Sequence, residues 1–517
     1  MKKSMKIFPY HFLPEIFLER MKQISIALAF CLTVSFQTGA AWAQLPVTGV
    51  YVPELVIFDM LMQDYMADND LESGILSISR HGCVVYQRGF GYAYNMTDPL
   101  PENTPMRLAS VEKPITAAVI HDLVAEDLIS LDDFVFYVDV NDPIPGPGGE
   151  QRLLDASTPS SPYYPDDGLA DARIADIRVA HLLVHQGGWD VEATGFWPQF
   201  ESIAIADALE ISSPPERTNT VKYMLSQPLQ FDPGTLPPLC NEDVDGNCIV
   251  NNPNPCRCNN YSNFGYMLLG LIVEQVTMQD HIDAVRRRVL TPEMWVPATE
   301  LFFGRSLRDF QNEREPLYLS NYNGTNVFSP YAQVSSPYGT WDHESFAGHG
   351  NFVASAAPIL SLANHYHVQM FSADIGVPLS GSLVFGDHNG SLPGTNTVVR
   401  QYDDGFSIVV LFNERDESGN DTDFARRLAA DTHDLIEWAT GIDWSSLSCI
   451  DGSWIDFNAS ASGFGGHDDP FHTMDATLDA ITDGTKLRIK PGTTNWAGTI
   501  STRTLINAPF GTAIIGQ

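Results

Sequence analysis

Positive charge is scarce in this sequence. Its 517 residues contain 29 lysines and arginines against 64 aspartates and glutamates, which gives a formal net charge of −35. Proteins that hold nucleic acid through its phosphates need clustered basic side chains and a positive surface. The charge balance therefore excludes nucleic acid as a partner.

Long apolar runs are missing beyond the N-terminal segment. A membrane-spanning helix needs ~20 consecutive apolar residues, and no stretch after residue 43 is long enough, so we expect no integral membrane span. Hydrophobic residues make up 44% of the chain, alongside 39 glycines and 34 prolines, which is typical of a globular, loop-rich protein. The length is sufficient for two cores with insertions.

The first 43 residues have the pattern of an export signal. Met21-Lys22 precedes an apolar run over Ile24–Phe36, and Ala41-Trp42-Ala43 is a small-x-small cleavage site. The alternative, a buried N-terminal helix, does not account for that site. We predict a signal peptide over residues 1–43, cleaved after Ala43, and a secreted or periplasmic protein.

The cysteine spacing lacks the C-x2-C pair that zinc sites usually use. Removal of the signal leaves six cysteines, and four of them crowd into one loop with the spacing C-x7-C-x7-C-x-C. In an exported protein this favours disulfides, although the sequence does not give their pairing. The same loop matches the first half of a calcium-binding loop, but Asn252 occupies the position of the bidentate glutamate. We expect no metal and no cofactor.

Strands are predicted at both ends of the main part of the chain and helices between them. The predicted strands are a hairpin over residues 74–87 and the stretches Ser382–Phe385, Asn396–Gln401 and Phe406–Phe412. The predicted helices are Pro53–Met66, Ser110–Leu128, Ile177–His185, Asn263–Val276, Pro358–Met370 and Asp423–Thr440. Residues Asp142–Asp167, rich in Pro, Gly and Ser, are interpreted as a surface insertion.

This order predicts an α+β fold for a main domain over residues 44–445. One antiparallel sheet would be built from both termini and flanked by the terminal helices, with an all-helical subdomain inserted. Residues 446–517 are predicted to form a small β-rich domain, similar to the opening of a parallel β-helix. A single rung of that kind cannot bury its own face, so it would pack on the main domain or meet a surface partner.

Lysine is scarce enough for one of its positions to be informative. Between Gln44 and Cys449 the only lysines are Lys113 and Lys222, and Lys113 belongs to the single Ser-x-x-Lys of the chain, Ser110–Lys113. Residues i and i+3 share one face of a helix, so an amine would lie beside a hydroxyl at the positive end of the helix dipole. The alternative is a solvated lysine in a first helical turn.

Two further motifs follow in order. Tyr261-Ser262-Asn263 is the single Tyr-x-Asn and opens an apolar helix, and His388-Asn389-Gly390 precedes the predicted C-terminal strands. A second His-x-Gly occurs at His185–Gly187, which we interpret as an ordinary polar residue after a helix.

These three motifs resemble those of the serine β-lactamase and DD-peptidase superfamily, in its class C-like branch of D-amino-acid peptidases and esterases. The resemblance covers about Pro53 to Trp444. Flanking stretches that share it are Ile75–Gly91, Leu123–Asp133, His181–Gly188, Pro228–Gly234 and Leu411–Asn413.

The resemblance implies that Ser110 attacks a carbonyl carbon and forms an acyl-enzyme. Either a neutral Lys113 or a Tyr261 phenolate stabilised by Lys113 would be the base, and the sequence leaves both open. Asn263 would bind Lys113 and the acyl side of the substrate. The backbone N–H groups of Ser110 and Ser391 would form an oxyanion hole.

The third motif limits the substrate. Class C β-lactamases carry Lys-Thr-Gly where this chain has His388-Asn389-Gly390, and the histidine form resembles carboxypeptidases, D-aminopeptidases and esterases. His388 is expected to face the cleft and to help bind substrate or relay protons. The implied function is hydrolysis of a small ester or a D-amino-acid-type amide or peptide. The alternative is a penicillin-binding or sensor-type protein that acylates without efficient turnover.

Overall fold

The fold is described from a computed structural model of the chain. It describes residues 45–139, 152–236, 261–290, 300–380, 385–416, 424–439, 441–450, 452–463, 465–466, 469–481, 486–508 and 512–516. The predicted signal peptide, the loop with four cysteines and its calcium-like half, and most of the predicted strand Ser382–Phe385 lie outside these ranges.

The α-helices are numbered in chain order. Helices α1 to α11 are Val56–Asp68, Glu112–Ala125, Val179–Leu183, Val191–Thr194, Ser202–Ala208, Arg217–Leu225, Asn263–Thr277, His281–Val285, Ala356–His365, Phe424–Trp438 and Met474–Ala480. Within the described ranges, no helix has the length and apolar character needed to cross a membrane.

The strands are numbered in the same way. Strands β1 to β18 are Val47–Thr48, Ser73–Arg80, Cys83–Gly91, Met106–Arg107, Phe134–Tyr137, Arg152–Asp155, Leu301–Phe303, Asn323–Thr325, Gln333–Ser335, Phe352–Ala354, Gly386–Leu392, Thr395–Gln401, Phe406–Phe412, Ser453–Ile455, Lys486–Ile489, Gly492–Thr494, Leu505–Asn507 and Ala513–Ile515.

The main sheet joins the two ends of the main part of the chain, as predicted. Its strand order is β1-β3-β2-β13-β12-β11, and every neighbouring pair is antiparallel. The hairpin β2–β3 turns at His81 and Gly82, whose φ angles of 47° and 77° are both positive. Two positive φ angles are the signature of the two-residue type I′ turn, whose twist matches that of the strands.

Alternate residues of the central strands enter two separate cores, because successive side chains of a strand point to opposite faces. Leu76 and Val410 belong to the core shared with helices α1 and α10. Ile75 and Leu411 belong to the larger core shared with α2, α7 and α9. The sheet is thus covered on both faces, and the predicted α+β fold is confirmed.

Residues 152–167 correct the interpretation of Asp142–Asp167 as a surface insertion. Strand β6 pairs in parallel with β5, and Leu154 and Ala156 are buried in the larger core. A strand of four residues points only two side chains inward, which is too few to produce a visible period in the sequence.

Three other predicted elements have different bounds. The helix predicted over Ile177–His185 is the shorter α3, and the one predicted over Pro358–Met370 ends at His365 as α9. The His388 motif, expected to precede the C-terminal strands, lies inside strand β11 at the edge of the sheet. Asn and Gly have low β-propensity, so the motif has the composition of a loop although it pairs fully with β12.

The C-terminal segment is built from short parallel strands. Strand β15 pairs with β14 on one side and β17 on the other, and β16 pairs with β18. A small apolar cluster that includes Ile455, Met474 and Leu487 lies beneath them. A disulfide between Cys83 and Cys449 ties the start of this segment to the β2–β3 hairpin.

Candidate active site

Ser110 lies in a tight turn between strand β4 and helix α2. The turn is a 3-10 helix over Ala109–Val111 that runs directly into α2 at Glu112. Ala109 has a φ of 48°, in the left-handed region that costs a residue with a Cβ atom roughly 1–2 kcal/mol. The strained turn presents Ser110 in the wall of a cavity.

The hydroxyl of Ser110 is within hydrogen-bonding distance of two other predicted site residues. Tyr261 Oη lies 2.5 Å from Ser110 Oγ, and Lys113 Nζ lies 3.2 Å from the same atom. Lys113 Nζ also donates to Asn263 Oδ1 at 2.7 Å and to the carbonyl oxygen of His349 at 2.8 Å. The structure thus brings together one alcohol, one amine and one phenol from motifs that are 151 residues apart in sequence.

Helix α7 positions the Tyr-x-Asn motif. Ser262 is its N-cap, and its Oγ accepts a hydrogen bond from the N–H of Gly265 at 3.0 Å, the usual role of serine at a helix start. The backbone of Ser262 is extended. From this end of the helix the side chain of Tyr261 contacts Ser110 and that of Asn263 contacts Lys113.

Lys113 is fully buried, and burial is the main cause of its altered basicity. Taking the ammonium out of water holds the pKa of Lys113 well below its usual value, and the negative charge of Glu112 opposes that shift in part. The amine also lies 4.7 Å from the centre of the Tyr261 ring. Burial therefore favours the neutral amine, which is the form in which a lysine can accept a proton as a general base.

Glu112 occupies an unspecified position of the Ser-x-x-Lys motif, directly before Lys113. It supports the lysine indirectly, through the backbone segment that binds the amine. Its carboxyl is fully buried and accepts hydrogen bonds from the N–H groups of Gly348, at 2.6 Å, and Phe352, at 2.9 Å. Burial raises the pKa of Glu112 to about 7. These bonds hold the segment whose His349 carbonyl binds Lys113, so Glu112 fixes a partner of the amine.

Strand β11 lies beside the nucleophile turn and carries the third predicted motif. The alternate residues Asp387, Asn389 and Ser391 line the cavity, whereas His388 is completely buried and shares its face of the strand with Gly390. Burial holds the pKa of His388 well below its usual value. The charge of Lys113 contributes to the same shift in pKa, and the role of His388 in binding substrate or relaying protons stays a prediction.

Gly390 is where β11 passes closest to the nucleophile turn. A Cβ atom at this position would lie 2.1 Å from the carbonyl oxygen of Leu108 and 2.5 Å from Thr397 Oγ1. Only glycine allows the strand to approach the residues before Ser110 so closely. The next residue, Ser391, lies in the cavity wall, and its Oγ accepts a hydrogen bond from Arg415 at 3.3 Å.

His185 lies closer to the site than its interpretation as an ordinary polar residue implied. Its Nδ1 accepts a hydrogen bond from the N–H of Ser262 at 3.0 Å, and its ring contacts that of Tyr261, with centroids 4.8 Å apart. Burial, followed by the charge of Lys113, lowers the pKa of His185 to about 3. The imidazole is therefore neutral, and its contacts with Tyr261 and Ser262 stabilise the position of the Tyr-x-Asn motif.

The cavity beside Ser110 has a volume of about 1070 Å³. One side is aromatic and comes mainly from the segments before α5 and after β9. The other side is polar and comes mainly from β11 and the residues that follow the sheet. The aromatic side includes Trp197, Phe200, Trp341 and Phe346, and the polar side includes Asp387, Asn389, Ser391, Arg415 and Arg426. Thr340 also lines the cavity, so the segment 340–346 contributes three of its lining residues.

One group of side chains could approach a metal ion. His433, Asp434 and Glu437 on α10 have candidate ligand atoms within 4.8 Å of one another, the only such group in the part of the chain that the structure describes. Asp434 and Glu437 are exposed, and clusters of this kind are common on acidic surfaces. None of the three lines the cavity beside Ser110.

Comparison with known proteins gives a family match and several relatives. The family model described as Beta-lactamase matches residues 58–431. The esterase EstB of Burkholderia gladioli is 27% identical over 183 residues, which are 34% of this chain and 40% of the esterase. The chain therefore matches less than half the length of that curated relative.

Solved structures resemble the chain more widely but at low identity. The D-amino acid amidase of Ochrobactrum anthropi SV3, complexed with L-phenylalanine amide, is 17% identical, with a TM-score of 0.46 over 75% of this chain and 99% of the amidase. The octameric penicillin-binding protein homologue from Pyrococcus abyssi is 17% identical, with a TM-score of 0.44 over 74% of this chain and 77% of its own.

Proposed function

Because this chain belongs to the Beta-lactamase family, we propose that it is a serine hydrolase that forms an acyl-enzyme on Ser110. The observation that carries the proposal is the position of Ser110 Oγ, within 3.2 Å of both Lys113 Nζ and Tyr261 Oη in the wall of a large cavity. A serine hydroxyl is a weak nucleophile until a neighbouring base removes its proton. Both candidate bases are in hydrogen-bonding distance.

Lys113 is the base in this proposal. Its burial favours the neutral amine, which can accept the proton as Ser110 Oγ attacks the substrate's carbonyl carbon. The C=O double bond becomes a C–O⁻ single bond in the tetrahedral intermediate. Ser110 and Ser391 both line the cavity, and we propose that their backbone N–H groups stabilise this oxyanion, with each donor contributing about 3 kcal/mol.

Tyr261 is the acid in this proposal. The intermediate collapses as the bond to the leaving group breaks, and the leaving oxygen or nitrogen takes the proton of Tyr261 Oη. The proton that Lys113 took from Ser110 Oγ then passes to the Tyr261 phenolate, whose ring centre lies 4.7 Å from Lys113 Nζ, so the amine and the phenol regain their starting forms. Water attacks the acyl-enzyme by the reverse sequence, releases the acid and restores Ser110. Asn263 orients the lysine through its 2.7 Å contact.

An ester is the substrate we propose, with a D-amino-acid-type amide as the second choice. The name of EstB supports an ester. Because burial and the charge of Lys113 favour the neutral form of His388 by lowering its pKa, the chain lacks a cationic side chain at the position where class C β-lactamases carry the lysine of Lys-Thr-Gly. We therefore expect efficient β-lactam turnover to be absent.

Labelling of the nucleophile tests the function directly. A fluorophosphonate should label the wild-type protein at Ser110, as identified by mass spectrometry, and should leave Ser110→Ala unlabelled. The wild type should hydrolyse p-nitrophenyl butyrate faster than a D-Ala-D-Ala peptide, and Ser110→Ala should hydrolyse neither. A stable adduct with a fluorescent penicillin and no ester turnover would instead support the penicillin-binding alternative, and no label would refute both.

We also propose that the protein is exported and that residues 446–517 form a separate small domain. The Cys83–Cys449 disulfide supports export, because such bonds form and persist in oxidising compartments. The separate apolar cluster beneath the parallel strands supports the domain. Mass spectrometry of the mature protein, which should begin at Gln44, tests the export signal.

A further inference from the structure

The second His-x-Gly of the chain, His185–Gly187, takes no part in the proposed proton transfers, yet it lies directly beside Tyr261. The ring of His185 packs against the ring of Tyr261, with centroids 4.8 Å apart, and against that of Phe371, with centroids 5.3 Å apart. Phe371 in turn contacts Tyr261, with centroids 6.0 Å apart. The phenol that contacts Ser110 is therefore one of three rings in mutual contact.

A hydrogen bond links the same histidine to the backbone beside Tyr261. The N–H of Ser262 donates to His185 Nδ1 at 3.0 Å. That N–H belongs to the planar peptide group that joins Tyr261 to Ser262, so the bond orients the whole group. Tyr261 precedes the N-cap of α7 and lies outside the helix. The histidine therefore contacts the phenol through its ring and the adjoining peptide group through Nδ1.

The hydrogen bond also determines which nitrogen of His185 carries the proton. A backbone N–H can only donate, so Nδ1 is the acceptor, and in a neutral imidazole the hydrogen is then on Nε2. Burial, the main cause, and the charge of Lys113 lower the pKa of His185 to about 3. The imidazole therefore stays neutral around neutral pH, and Nδ1 remains available to the Ser262 N–H.

The backbone of His185 has a conformation that few residues other than glycine adopt. Its φ of 62° lies in the left-handed region, which strains a residue with a Cβ atom. Strain of this kind persists where the surrounding structure fixes the position of a side chain, and it is concentrated at functional sites. The side chain concerned is only 1% exposed and contacts Tyr261. The strain indicates that its direction matters to the site.

We propose that His185 is a positioning residue that holds Tyr261 within reach of the nucleophile. The acceptor at Nδ1 orients the peptide group after Tyr261, and the imidazole ring restricts the phenol to the orientation in which Tyr261 Oη lies 2.5 Å from Ser110 Oγ. His185 exchanges no proton with the substrate and acts only through Tyr261. The catalytic part of this inference rests on the proposed function, whereas the placement of Tyr261 does not.

Two substitutions separate the acceptor from the ring. In His185→Asn the side-chain carbonyl oxygen can take the place of Nδ1, whereas His185→Phe keeps a ring and removes the acceptor. A buried N–H without a partner is costly, so in His185→Phe the peptide group should reorient and carry Tyr261 with it. In crystal structures we expect the hydrogen bond between Tyr261 and Ser110 to persist in His185→Asn. In His185→Phe the two oxygens should lie more than ~3.5 Å apart.

Kinetics with two esters measure the effect on the reaction. The leaving group of ethyl butyrate needs a proton and that of p-nitrophenyl butyrate does not, so displacement of Tyr261 should slow the first ester more. We expect His185→Phe to lower kcat for ethyl butyrate by about 10²-fold, which a displacement of ~1 Å can cause. For p-nitrophenyl butyrate the loss should be less than about tenfold. His185→Asn should remain close to the wild type on both esters.

A double-mutant cycle shows whether His185 acts through Tyr261. Added to Tyr261→Phe, His185→Phe should lower kcat for ethyl butyrate by less than about twofold, because the hydroxyl that it positions is already absent. Independent effects multiply, so a histidine that acts without Tyr261 would lose the same factor in both backgrounds. His121→Phe is the matched control, since this histidine of α2 does not line the cavity. It should change kcat for the two esters by the same small factor.

Three results would overturn the proposal. They are a hydrogen bond between Tyr261 and Ser110 that persists in His185→Phe, an equal loss of kcat in the two backgrounds of the cycle, and a His185→Asn variant that is as slow as His185→Phe. Failure of the proposed function is a different result, in which the wild type hydrolyses neither ester and Ser110 is not labelled. The crystal structures would then still decide whether His185 positions Tyr261.

Discussion

The carboxyl of Glu112 accepts a hydrogen bond from the N–H of Gly348 at 2.6 Å, and both groups are buried beside the proposed catalytic lysine. The bond connects the first turn of helix α2, which carries Lys113, to the segment whose His349 carbonyl binds the same lysine. Glu112, which can gain or lose a proton, thus holds the backbone segment that binds the proposed base, Lys113. Its protonation links the stability of the site to pH.

The first prediction concerns that link. Burial raises the pKa of Glu112 from 4.5 to about 7, so between these pH values the folded protein holds a proton that the unfolded chain has lost. The stability that this proton supports is complete below pH 4.5 and is lost as pH rises through 7. The free energy of unfolding of the wild type should fall relative to that of Glu112→Gln by roughly 2–4 kcal/mol across this window.

Urea unfolding of both proteins at closely spaced pH values measures the difference. Glu54→Gln, which alters an exposed side chain in the N-terminal 3-10 turn, is the matched control and should show a small, flat difference from the wild type. A flat difference for Glu112→Gln as well would show that the buried carboxyl is not protonated at neutral pH.

The second prediction separates the two candidate proton carriers by the leaving group. p-Nitrophenolate departs as an anion and needs no proton, whereas the ethoxide of ethyl butyrate does. If Tyr261 is the acid, Tyr261→Phe should lose about 10²–10⁴-fold in kcat on ethyl butyrate and less than about tenfold on p-nitrophenyl butyrate. Lys113→Met should lose about 10²–10⁴-fold on both esters, since the base is needed in each case.

Tyr266→Phe is a matched control for the loss of a phenol near the lysine. The hydroxyl of Tyr266 donates to the carbonyl oxygen of Leu183 at 3.0 Å, and its ring lies 5.7 Å from Lys113 Nζ. Its effect on the two esters should be equal. If Tyr261→Phe lowered kcat equally strongly for both esters, the tyrosine would be assigned as the base.

Sequence patterns were sufficient for the main elements of the fold and for the residues that surround Ser110. The spacing of Ser110 and Lys113 is local and helical, so it could be read directly from the chain. The N-cap at Ser262 and the apolar helix after it likewise specify where Tyr261 and Asn263 begin a helix. These patterns depend only on residues close together in sequence, so they can be recognised without a structure.

The supporting residues could not be predicted in this way. The carboxyl of Glu112 binds the backbone N–H of Gly348, and Lys113 binds the backbone carbonyl of His349, each across 236 residues of sequence. Backbone partners leave no trace in residue types. The complete burial of His388 depends on how the edge strand packs beside the nucleophile turn, which the His-x-Gly spacing does not show. Position 109 carries an alanine at positive φ, whereas glycine would have been the visible signal of such a turn.

The third prediction concerns the close approach of β11 to the nucleophile turn. In Gly390→Ala the new methyl group would meet the carbonyl oxygen of Leu108 at 2.1 Å, so the strand must move outward. We expect a loss of about 1–3 kcal/mol in stability, because added volume strains a packed contact. A shift of about 1 Å in the oxyanion wall should lower kcat/KM for p-nitrophenyl butyrate by about 10²-fold.

Gly441→Ala is the matched control, because no atom lies within 4 Å of its added Cβ. It should retain the wild-type kcat/KM and stability within measurement error. Wild-type kinetics in Gly390→Ala would show that the strand does not contribute to the reacting geometry.

The fourth prediction concerns the disulfide between Cys83 and Cys449, which closes a loop of 366 residues. Cross-links of long loops restrict the unfolded chain most, and loss of a native disulfide typically costs about 2–5 kcal/mol. Cys83→Ala/Cys449→Ala should therefore unfold at a lower urea concentration than the wild type when both proteins are kept oxidised. Because Cys449 adjoins the parallel strands, trypsin should also release the segment after residue 449 sooner from the double variant. Equal midpoints for the double variant and the wild type, both oxidised, would show that the hairpin and this segment stay joined by their packing alone.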